Sequence, residues 1–495
     1  MLPVNCGSHA NYQNFVATNL RKYYPDPDAL ARSTWDIIER FWNLDLSYTD
    51  ILMANKYSKF GPAPRTPSCM QRSYLLSIDF KVTSLTEWVA QLKFNPLYAI
   101  LSGFEVGNTP GVGTFYDFIN RLWDSDDNHT SPHIRPLKTK GKKPKTKGTK
   151  ADSMEKVTVA ELLPALEKTD FKLDEQPYSS LFKIYQKEFL DISVSKGLIH
   201  ADVLALAGDG TPVVTSHRER KKRICNCKEK GITDCKCDRY FSQPDCDIGW
   251  DSSRDCFYHG YDLYMLVDSQ SDLPVFPHFS CASKHDSHGF LHAYFRMKAF
   301  LPDYKVSKVL LDSAHDAMPY YQYFKRENIT PFIDLNGKGG RPPVYKNDFT
   351  IDKNGVPICP CGHRMRRDGV EAAKGRIKFK CPKISKKQGC ISCTCETPCS
   401  DAKYGRTVHL VMNDNPRLFN NPPRSSREWK LEYNARTSAE RSNKREKLDF
   451  KLEDGRHRST KMWYCRLYHI LMLQHLDAWD LPSESSLRKL ILNVA

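Results

Sequence analysis

The sequence predicts an α/β protein in which a mixed sheet is flanked by helices, with a helical N-terminal domain and an inserted cysteine-rich module. Three observations predict this arrangement. Short apolar runs bounded by turn residues begin near residue 203, apolar residues recur at helical spacing on both sides of this region, and most cysteines are bunched in two stretches. The chain has 495 residues, enough for two to four domains at about 100 to 200 residues each.

The first 202 residues are predicted to be mainly helical. Residues 1–123 form a helical N-terminal region, because apolar residues in 34–42 and 115–123 recur at helical spacing. Residues 124–154 are a basic flexible linker with seven lysines among Gly, Pro and Thr. This linker is either a solvated spacer or a contact for phosphates. Residues 155–202 form a helical connector.

The first part of the sheet is predicted within residues 203–335. The run from Val203 ends in an acid, Asp209, and a later run from Val306 to Leu311 ends in Asp312. Between and after them we expect a hairpin (Tyr261–Val267 and Leu273–Ala282), a helix (Ser287–Phe300), a helix through Tyr320–Arg326 and a strand (Thr330–Ile333). The ligands of such α/β folds bind at the carboxyl ends of strands, where both aspartates are expected.

The remaining chain is predicted to interrupt and then complete this core. Residues 336–425 are rich in Gly, Pro, Lys, Arg and Cys and are interpreted as a loop-rich insertion with too few apolar residues for a core of its own. Residues 426–495 contain a charged helix over Glu428–Glu453 that ends near Gly455. An apolar helix over Met462–Trp479 then packs beneath the sheet.

The charge of the chain favours a polyanionic partner. There are 74 Lys and Arg against 58 Asp and Glu, a net charge of +16. No run of about 18 apolar residues exists, so we expect no membrane span, and no amphipathic helix carries the charge toward a membrane surface. The residues from Met1 lack a basic region and an apolar signal core, so secretion is not expected and the 17 cysteines are expected to be reduced.

A possible cation site follows from the two aspartates. Mg²⁺ prefers a few carboxylates together with water and phosphate oxygens. The alternative is that Asp209 caps a turn and Asp312 caps the next helix. The charged helix adds a third acid, because Tyr433, Arg436, Glu440 and Lys447 fall within roughly 60° of one helix surface. A salt-bridged solvent face is the alternative for that helix.

The spacing of these four residues, Tyr-x2-Arg-x3-Glu-x6-Lys, resembles the YREK signature of bacterial insertion-sequence DDE transposases. Asp209 and Asp312 resemble the first and second acids of that family, and the order of acid, hairpin, acid, strand, insertion and glutamate helix is similar over roughly residues 200–455. A looser similarity, to the family's N-terminal region, covers residues 107–115, shortly before Phe118. The resemblance implies a ribonuclease-H-like catalytic core, a bacterial chain located with the nucleoid in the cytoplasm, and cleavage and joining of transposon DNA.

The family resemblance also implies roles for individual residues. Asp209, Asp312 and Glu440 would be catalytic and hold two Mg²⁺ or Mn²⁺ ions, while Arg436 and Lys447 would hold backbone phosphates. Tyr433 would contact a displaced base, with Trp429 as a weaker candidate and a core position as the rival interpretation for the aromatics. Double-stranded DNA is the expected partner, bound by a homodimer because joining two ends requires two active sites.

Two further acids compete for a role in this site. His315 and Asp316 follow Asp312 where many relatives have a glycine and an aromatic residue, so Asp316 is a decoy or a helper. Asp334 ends the next strand and is a weaker competitor.

The cysteines predict structural zinc in two places. Four thiols within 225–237 suit one tetrahedral Zn²⁺, with reduced surface thiols as the alternative. A second group within 359–399 suggests one or two more sites, and its spacing leaves open which members share a metal. The candidate ligands are Cys225, Cys227, Cys235 and Cys237 in the first group, and Cys359, Cys361, His363, Cys381, Cys390, Cys393, Cys395 and Cys399 in the second.

Three functions therefore remain open at the level of the sequence. The first is a DDE transposase. The second is a non-transposing nuclease with the same core, and the third is a zinc-dependent DNA-binding protein whose acids are structural.

Overall fold

A six-stranded mixed sheet carries both aspartates in the computed structural model of the chain. The structure describes residues 8–26, 28, 30–58, 60–130, 134–135, 157–215, 221–223, 225–237, 239–241, 243–336, 349–387, 390–393, 395–396, 399–402, 404–455, 457–479 and 487. The seven lysines of the predicted linker lie outside these residues, as do residues 488–495.

Helices occupy most of the described chain before the sheet and after the insertion. The described helices are α1 (His9–Tyr23), α2 (Arg32–Trp42), α3 (Ser47–Met53), α4 (Pro67–Asp79), α5 (Leu85–Phe94), α6 (Pro96–Ser102), α7 (Val112–Leu122), α8 (Val159–Glu167), α9 (Ser179–Tyr185), α10 (Asp191–Ser195), α11 (Asp286–Phe300), α12 (Met318–Arg326), α13 (Arg427–Asn434), α14 (Thr437–Lys444) and α15 (Thr460–Ala478).

Strands form the central sheet and several smaller ones. The described strands are β1 (Ile134–Arg135), β2 (Leu204–Val214), β3 (Lys221–Arg223), β4 (Arg239–Phe241), β5 (Asp247–Asp251), β6 (Cys256–Asp268), β7 (Pro274–Cys281), β8 (Val306–Leu311), β9 (Thr330–Ile333), β10 (Thr350–Ile351), β11 (Pro357–Ile358), β12 (Arg366–Glu371), β13 (Arg376–Lys380), β14 (Ile384–Lys387), β15 (Cys390–Cys393) and β16 (Thr407–Val411).

The central sheet combines antiparallel and parallel pairs. Its order is β5-β6-β2-β8-β9, and β7 pairs with β6. β6 is antiparallel to β5, β7 and β2, whereas β2, β8 and β9 run parallel to one another. The parallel pair β8–β9 is connected through α12, as the alternation of apolar runs predicts. The prediction of a mixed sheet flanked by helices is confirmed.

The first strand extends further than the sequence predicts. The expected end at Asp209 is wrong, because β2 continues to Val214 in antiparallel register with β6, where Asp209 pairs with Met265 and Val214 with Gly260. Asp209 therefore lies within a strand, paired with Met265 of β6, whereas the pairing of β2 with β8 ends at Ala207. Asp312, in contrast, directly follows the last residue of β8.

One hydrophobic core joins the N-terminal helices to the sheet. It includes Trp88 of α5, Leu206 of β2, Phe290 of α11 and Tyr468 of α15, each at most 1% exposed. α15 contacts α4, α9 and β7 and is buried along nearly its whole length, in agreement with the predicted apolar helix. No described helix is both long and apolar enough to span a membrane.

The insertion has more regular structure than expected. β12, β13 and β16 form a three-stranded sheet, and a separate cluster of buried apolar residues includes Ile377, Phe379 and Leu410. The expectation that this segment lacks a core of its own is wrong, since alternating residues of β13 and β16 supply one.

The charged helix predicted over Glu428–Glu453 is divided. α13 ends at Asn434, a turn occupies Ala435 and Arg436, and α14 then begins at Thr437. α14 is followed by a π-helical turn over Arg445–Asp449, so the helical stretch ends before Gly455.

Candidate active site

Asp209 and Asp312 lie side by side on one face of the sheet. β2 and β8 are parallel, and the pairing of Ala207 with Leu310 brings the residues two positions later to the same level. Side chains two residues apart on a strand share a face. Asp312 directly follows β8, so the two aspartates lie at the same level on adjacent segments, and the charge of Asp312 acts on Asp209.

Glu440 comes from the helix that packs on this face. α14 contacts β2 and β6, and Asn443, one turn after Glu440, donates from Nδ2 to Asp209 Oδ2 at 3.3 Å. Glu440 is exposed and pairs with Arg436, whose Nη2 lies 2.6 Å from Glu440 Oε1. The charges of Glu440 and Asp312 both act on Asp209, so two other segments bring an acid within electrostatic range of Asp209.

The local environment shifts the pKa values of the two aspartates in opposite directions. Burial raises the pKa of Asp209 to about 7, and the negative charges of Asp286, Asp312 and Glu440 add to this effect while Arg436 opposes it. For Asp312, burial also favours the neutral form, but hydrogen bonds and the charge of His315 outweigh it and lower the pKa. Opposite shifts in neighbouring carboxylates are typical of functional sites.

His315 holds Asp312 in a fixed orientation. Its Nδ1 lies 2.6 Å from Asp312 Oδ1, and its Nε2 lies 2.9 Å from the hydroxyl of Tyr264 on β6. His315 is 1% exposed, so its ring is fixed by packing. Asp312 also accepts from the backbone N–H of Ala314 at 3.1 Å, which means that the capping role considered from the sequence coexists with its place in the site.

Two acids that the sequence analysis missed lie next to this cluster. Asp286 begins α11, and its Oδ1 is so close to Gly210 that a Cβ there would lie 2.6 Å away. Asp262 on β6 is 6% exposed, and its Oδ2 has no hydrogen-bond partner. Burial and then mutual repulsion with Asp286 and Asp209 raise the pKa of Asp262 well above its usual range. Only the register of β2 and β6 reveals this proximity, and no motif in the sequence indicates it.

The carboxylates do not form a closed set of metal ligands. Among the described residues, the group of His, Cys, Asp or Glu side chains whose ligand atoms all lie within 4.8 Å of one another consists of four cysteines. The carboxylate oxygens of Asp209, Asp312 and Glu440 therefore do not all lie within 4.8 Å of one another, although the charges of Asp312 and Glu440 act on Asp209. The atoms that could bind a metal here are nonetheless oxygens. Asp262 Oδ2 and Asn443 Oδ1 are buried nearby and have no hydrogen-bond partner among the described residues. Oxygen ligands of this kind suit a hard divalent cation.

The other signature residues are distributed around the acids. Lys447 donates from Nζ to the carbonyl of Pro212 at 2.7 Å and pairs with Glu453 at 3.2 Å, so it ties the helix to β2. Tyr433 is half-buried and stacks on Trp429 with ring centroids 4.5 Å apart. Trp429 is 6% exposed, which favours the core position for its ring over a base contact.

Asp316 is engaged elsewhere. Its side chain is fully buried and accepts from Arg417 Nε at 2.8 Å, from the Tyr321 hydroxyl at 2.9 Å and from the backbone N–H of Asn336 at 2.7 Å. These contacts occupy both carboxylate oxygens. Asp334 is exposed, accepts from the adjacent N–H of Leu335 and, like Asp312, acts by its charge on Tyr433.

The first cysteine group forms a compact cluster. The Sγ atoms of Cys225 and Cys235 are 3.5 Å apart, those of Cys227 and Cys237 are 3.6 Å apart, and all four lie within 4.8 Å of one another. Tetrahedral Zn²⁺ with bonds of about 2.3 Å requires sulfur atoms about 3.8 Å apart. Hydrogen bonds from Cys227 lower the pKa of Cys225 to about 7, which favours a thiolate. This cluster could hold a metal ion.

The second cysteine group is only partly gathered. Burial raises the pKa of Cys399, and Cys361, Cys359 and Cys381 then add to the rise, so these four thiols are neighbours. The backbone N–H of His363 donates to Cys359 Sγ at 3.4 Å, a contact that would orient a ligating sulfur. Cys390 and Cys393 both lie on β15. In the hairpin β14–β15, Cys390 is opposite Lys387 and Cys393 is opposite Ile384.

Comparison with known proteins adds no family assignment. Neither a scan against protein-family models nor a search of curated proteins finds a match to this chain.

Proposed function

We propose that the protein is a DDE transposase, which cleaves transposon DNA ends and joins them to target DNA by metal-dependent phosphoryl transfer. One observation carries the proposal. Asp209, Asp312 and Glu440 come from three separate segments, and the charges of Asp312 and Glu440 both act on Asp209, next to Arg436 of the same signature.

The order of the elements supports a ribonuclease-H-like core. An antiparallel unit of β2, β6 and β7 is followed by α11 and then by two strands parallel to β2. The insertion and the glutamate-bearing α14 come next, in the order that the resemblance implies. The helix packs on the face that carries Asp209, which supports a shared site instead of three independent structural acids.

The residues divide the chemical work between them. Asp209, Asp312 and Glu440 would hold Mg²⁺ or Mn²⁺, and a divalent cation bound there supplies a polarised nucleophile and stabilises charge on the phosphoryl oxygens. Asn443 and His315 orient Asp209 and Asp312. Arg436 can turn its guanidinium from Glu440 toward a backbone phosphate, because an exposed ion pair is weak and easily exchanged.

The partner in this proposal is double-stranded DNA, bound at the transposon ends and the target. A homodimer would form on DNA, since two ends must be cut and joined together. The net charge of +16 supports phosphate binding, and the proposed location is the bacterial cytoplasm with the nucleoid.

The decisive experiment measures strand cleavage and joining on duplexes taken from the DNA that flanks the gene. With Mg²⁺ or Mn²⁺, we expect the full-length protein to nick its own terminal repeat and to join the freed end to a target duplex. Asp209→Asn, Asp312→Asn and Glu440→Gln should each lower both rates by at least about 100-fold, close to 3 kcal/mol, while duplex binding is retained. Glu428→Gln, an exposed change on α13, is the matched control.

The products separate the transposase from a nuclease with the same core. Cleavage without joining in every divalent metal would contradict the transposase and favour the nuclease. Full joining by any one of the three acid variants would remove that residue from the proposed site.

A second candidate is a zinc-dependent DNA-binding protein without catalysis, and the four-cysteine cluster favours it. The cluster is flanked by the exposed Lys228, Lys230 and Lys236, a suitable arrangement for phosphate contact. In either function we propose structural Zn²⁺ at Cys225, Cys227, Cys235 and Cys237, and a second Zn²⁺ at Cys359, Cys361, Cys381 and Cys399. The acid variants decide between the two functions.

A further inference from the structure

A large polar cavity opens at the edge of the sheet, beside β7. It has a volume of about 680 Å³ and lies between β7, α11, α15 and the segments around residues 129 and 176. Pockets of about 300 to 1,000 Å³ commonly hold small molecules or parts of larger ligands. One wall is basic and is formed by His278, Ser280, Lys284, His288, His292 and Arg296.

These side chains converge because of the periodicity of two elements. His288, His292 and Arg296 are four residues apart on α11 and lie on one face of the helix. His278 and Ser280 are two residues apart on β7 and share a face of the strand. The rings of His278 and His292 stack with centroids 5.4 Å apart, and Arg296 Nη1 lies 3.5 Å from His292 Nδ1.

The basic wall generates a positive field that its own members experience. Burial, and then the charges of Arg296, Lys284 and His288, together lower the pKa of His292 to about 4. Burial and then the charges of Arg296 and His292 also lower the pKa of His278. The described contacts of Arg296 are with the His292 ring and the Phe171 face 4.9 Å away, and neither carries negative charge.

Two carboxylates line the same cavity, but both are engaged. Glu175 pairs with Lys172 at 3.3 Å. Asp245 accepts from the backbone N–H of Thr130 at 2.8 Å and from the hydroxyl of Thr460 at 2.5 Å. An anion in the cavity would meet guanidinium, ammonium and imidazole donors on one side.

We propose that this pocket binds the phosphate group of a nucleotide, either free or within a DNA strand. Arg296 offers a planar fork for two phosphate oxygens, Lys284 offers a point charge at the mouth, and Ser280 and the imidazoles offer further donors. None of the clustered acids lines the pocket, and binding there requires no divalent metal and no strand cleavage.

The test uses the full-length protein, without divalent metal, and three probes. Inorganic phosphate, a deoxynucleoside 5′-monophosphate and a short single-stranded oligonucleotide are titrated separately by calorimetry. Arg296→Ala and Lys284→Glu should each weaken binding of a phosphate-bearing probe by at least tenfold. Lys298→Ala is the matched control, because Lys298 lies on the same helix and pairs with Glu327 at 2.7 Å outside the pocket.

Each outcome bears on the proposal. Tighter binding of the monophosphate than of the oligonucleotide would assign the pocket to a free nucleotide, and the reverse order would assign it to a DNA strand. If no probe binds, the proposal is wrong. It is also wrong if Arg296→Ala and Lys284→Glu both bind as the unaltered protein does, which is the result expected of the control Lys298→Ala. Lys284 is exposed, so Lys284→Glu tests the pocket even if Arg296→Ala fails to fold.

Discussion

The carboxylate of Asp316 joins the loop after β8 to the C-terminal part of the insertion. Arg417 donates to both of its oxygens, and Tyr321 and the backbone of Asn336 complete its contacts. Arg424 extends the network, since it donates to the Tyr321 hydroxyl at 2.8 Å. The network fixes the position of the insertion relative to the loop that carries Asp312.

We therefore expect Asp316→Asn to destabilise the fold without acting on the chemistry. Breaking a buried ion pair leaves the guanidinium of Arg417 uncompensated, which typically costs about 3 to 5 kcal/mol. Urea denaturation should show a loss of this size. Asp334→Asn, a nearby exposed change, should remain within about 0.5 kcal/mol of the unaltered protein. A stable Asp316→Asn protein that has lost strand cleavage would instead return Asp316 to the active site.

Glu446 gives the fold a specific dependence on pH. It is fully buried between α14 and α15, with Ser442 Oγ at 3.3 Å and Gln474 Nε2 at 3.4 Å from its Oε1. Burial raises the pKa of this carboxyl from its ordinary value of 4.5 to about 8. The folded state therefore retains a proton that the unfolded chain releases at lower pH.

The sign of the effect follows from this difference. The contribution of Glu446 to stability is complete below pH 4.5 and declines as the pH rises through the window to about 8. Glu446→Gln should remove at most about 5 kcal/mol of this decline, measured as the difference in unfolding free energy between the two proteins across the window. Glu105→Gln, at an exposed loop position, should leave the decline unchanged. Parallel pH profiles for Glu446→Gln and the unaltered protein would show that the carboxyl titrates normally.

At the scale of elements, β6 is the strand on which the sheet depends. Gly260 pairs with Val214 of β2 and with Asp247 of β5, and its carbonyl accepts from Ala282. A Cβ at Gly260 would lie 2.0 Å from the carbonyl oxygen of Val213, which is a backbone atom and cannot rotate away.

Gly260→Ala should accordingly force β2 and β6 apart. We expect a loss of about 3 kcal/mol or more in unfolding free energy, at the upper end of the cost of overpacking. Gly111→Ala is the control, since a Cβ there meets nothing within 4 Å. Equal stability of the two variants would mean that the strands adjust without cost.

The four-cysteine cluster predicts a metal stoichiometry. If Cys225, Cys227, Cys235 and Cys237 share one Zn²⁺, Cys235→Ser should lower the zinc content by one equivalent, measured by elemental analysis of the purified protein. Cys256→Ser, at an exposed cysteine outside the cluster, should leave it unchanged. Zinc content that is identical in both variants would assign the cluster to reduced thiols.

The sequence predicted the individual helices and strands better than the register and packing between them. The hairpin of β6 and β7, the helix α11 and the strands β8 and β9 follow from periodicity, which is a local property. The end of β2 and the proximity of Asp262 and Asp286 to Asp209 depend on register, which distant segments determine. The break at Ala435 was missed because charged residues with good helix propensity surround it.

At the scale of the whole molecule, the distribution of charge remains the main link to DNA. The chain carries a net charge of +16, and seven of its lysines lie in the predicted linker between 138 and 150. Each phosphate that a protein neutralises on duplex DNA contributes about −0.9 to the slope of log affinity against log salt concentration. The slope of log affinity against log salt concentration therefore gives the number of phosphate contacts even when the recognised DNA sequence is not known.

The same measurement separates the two interpretations of the linker. If all seven lysines contact phosphates, replacing them by alanine should make the slope shallower by about 6, whereas a solvated spacer would leave it unchanged. Replacement by arginine keeps the charge and should preserve the slope, and Asp209→Asn should bind with the same slope as the unaltered protein because it removes no cation. The measurement is the affinity for one duplex between 50 and 200 mM salt, a range in which about seven contacts change affinity by roughly three to four orders of magnitude. A slope that is insensitive to the alanine replacement would assign the binding charge to cations outside the predicted linker. The lysines flanking the four-cysteine cluster would then be the next group to replace.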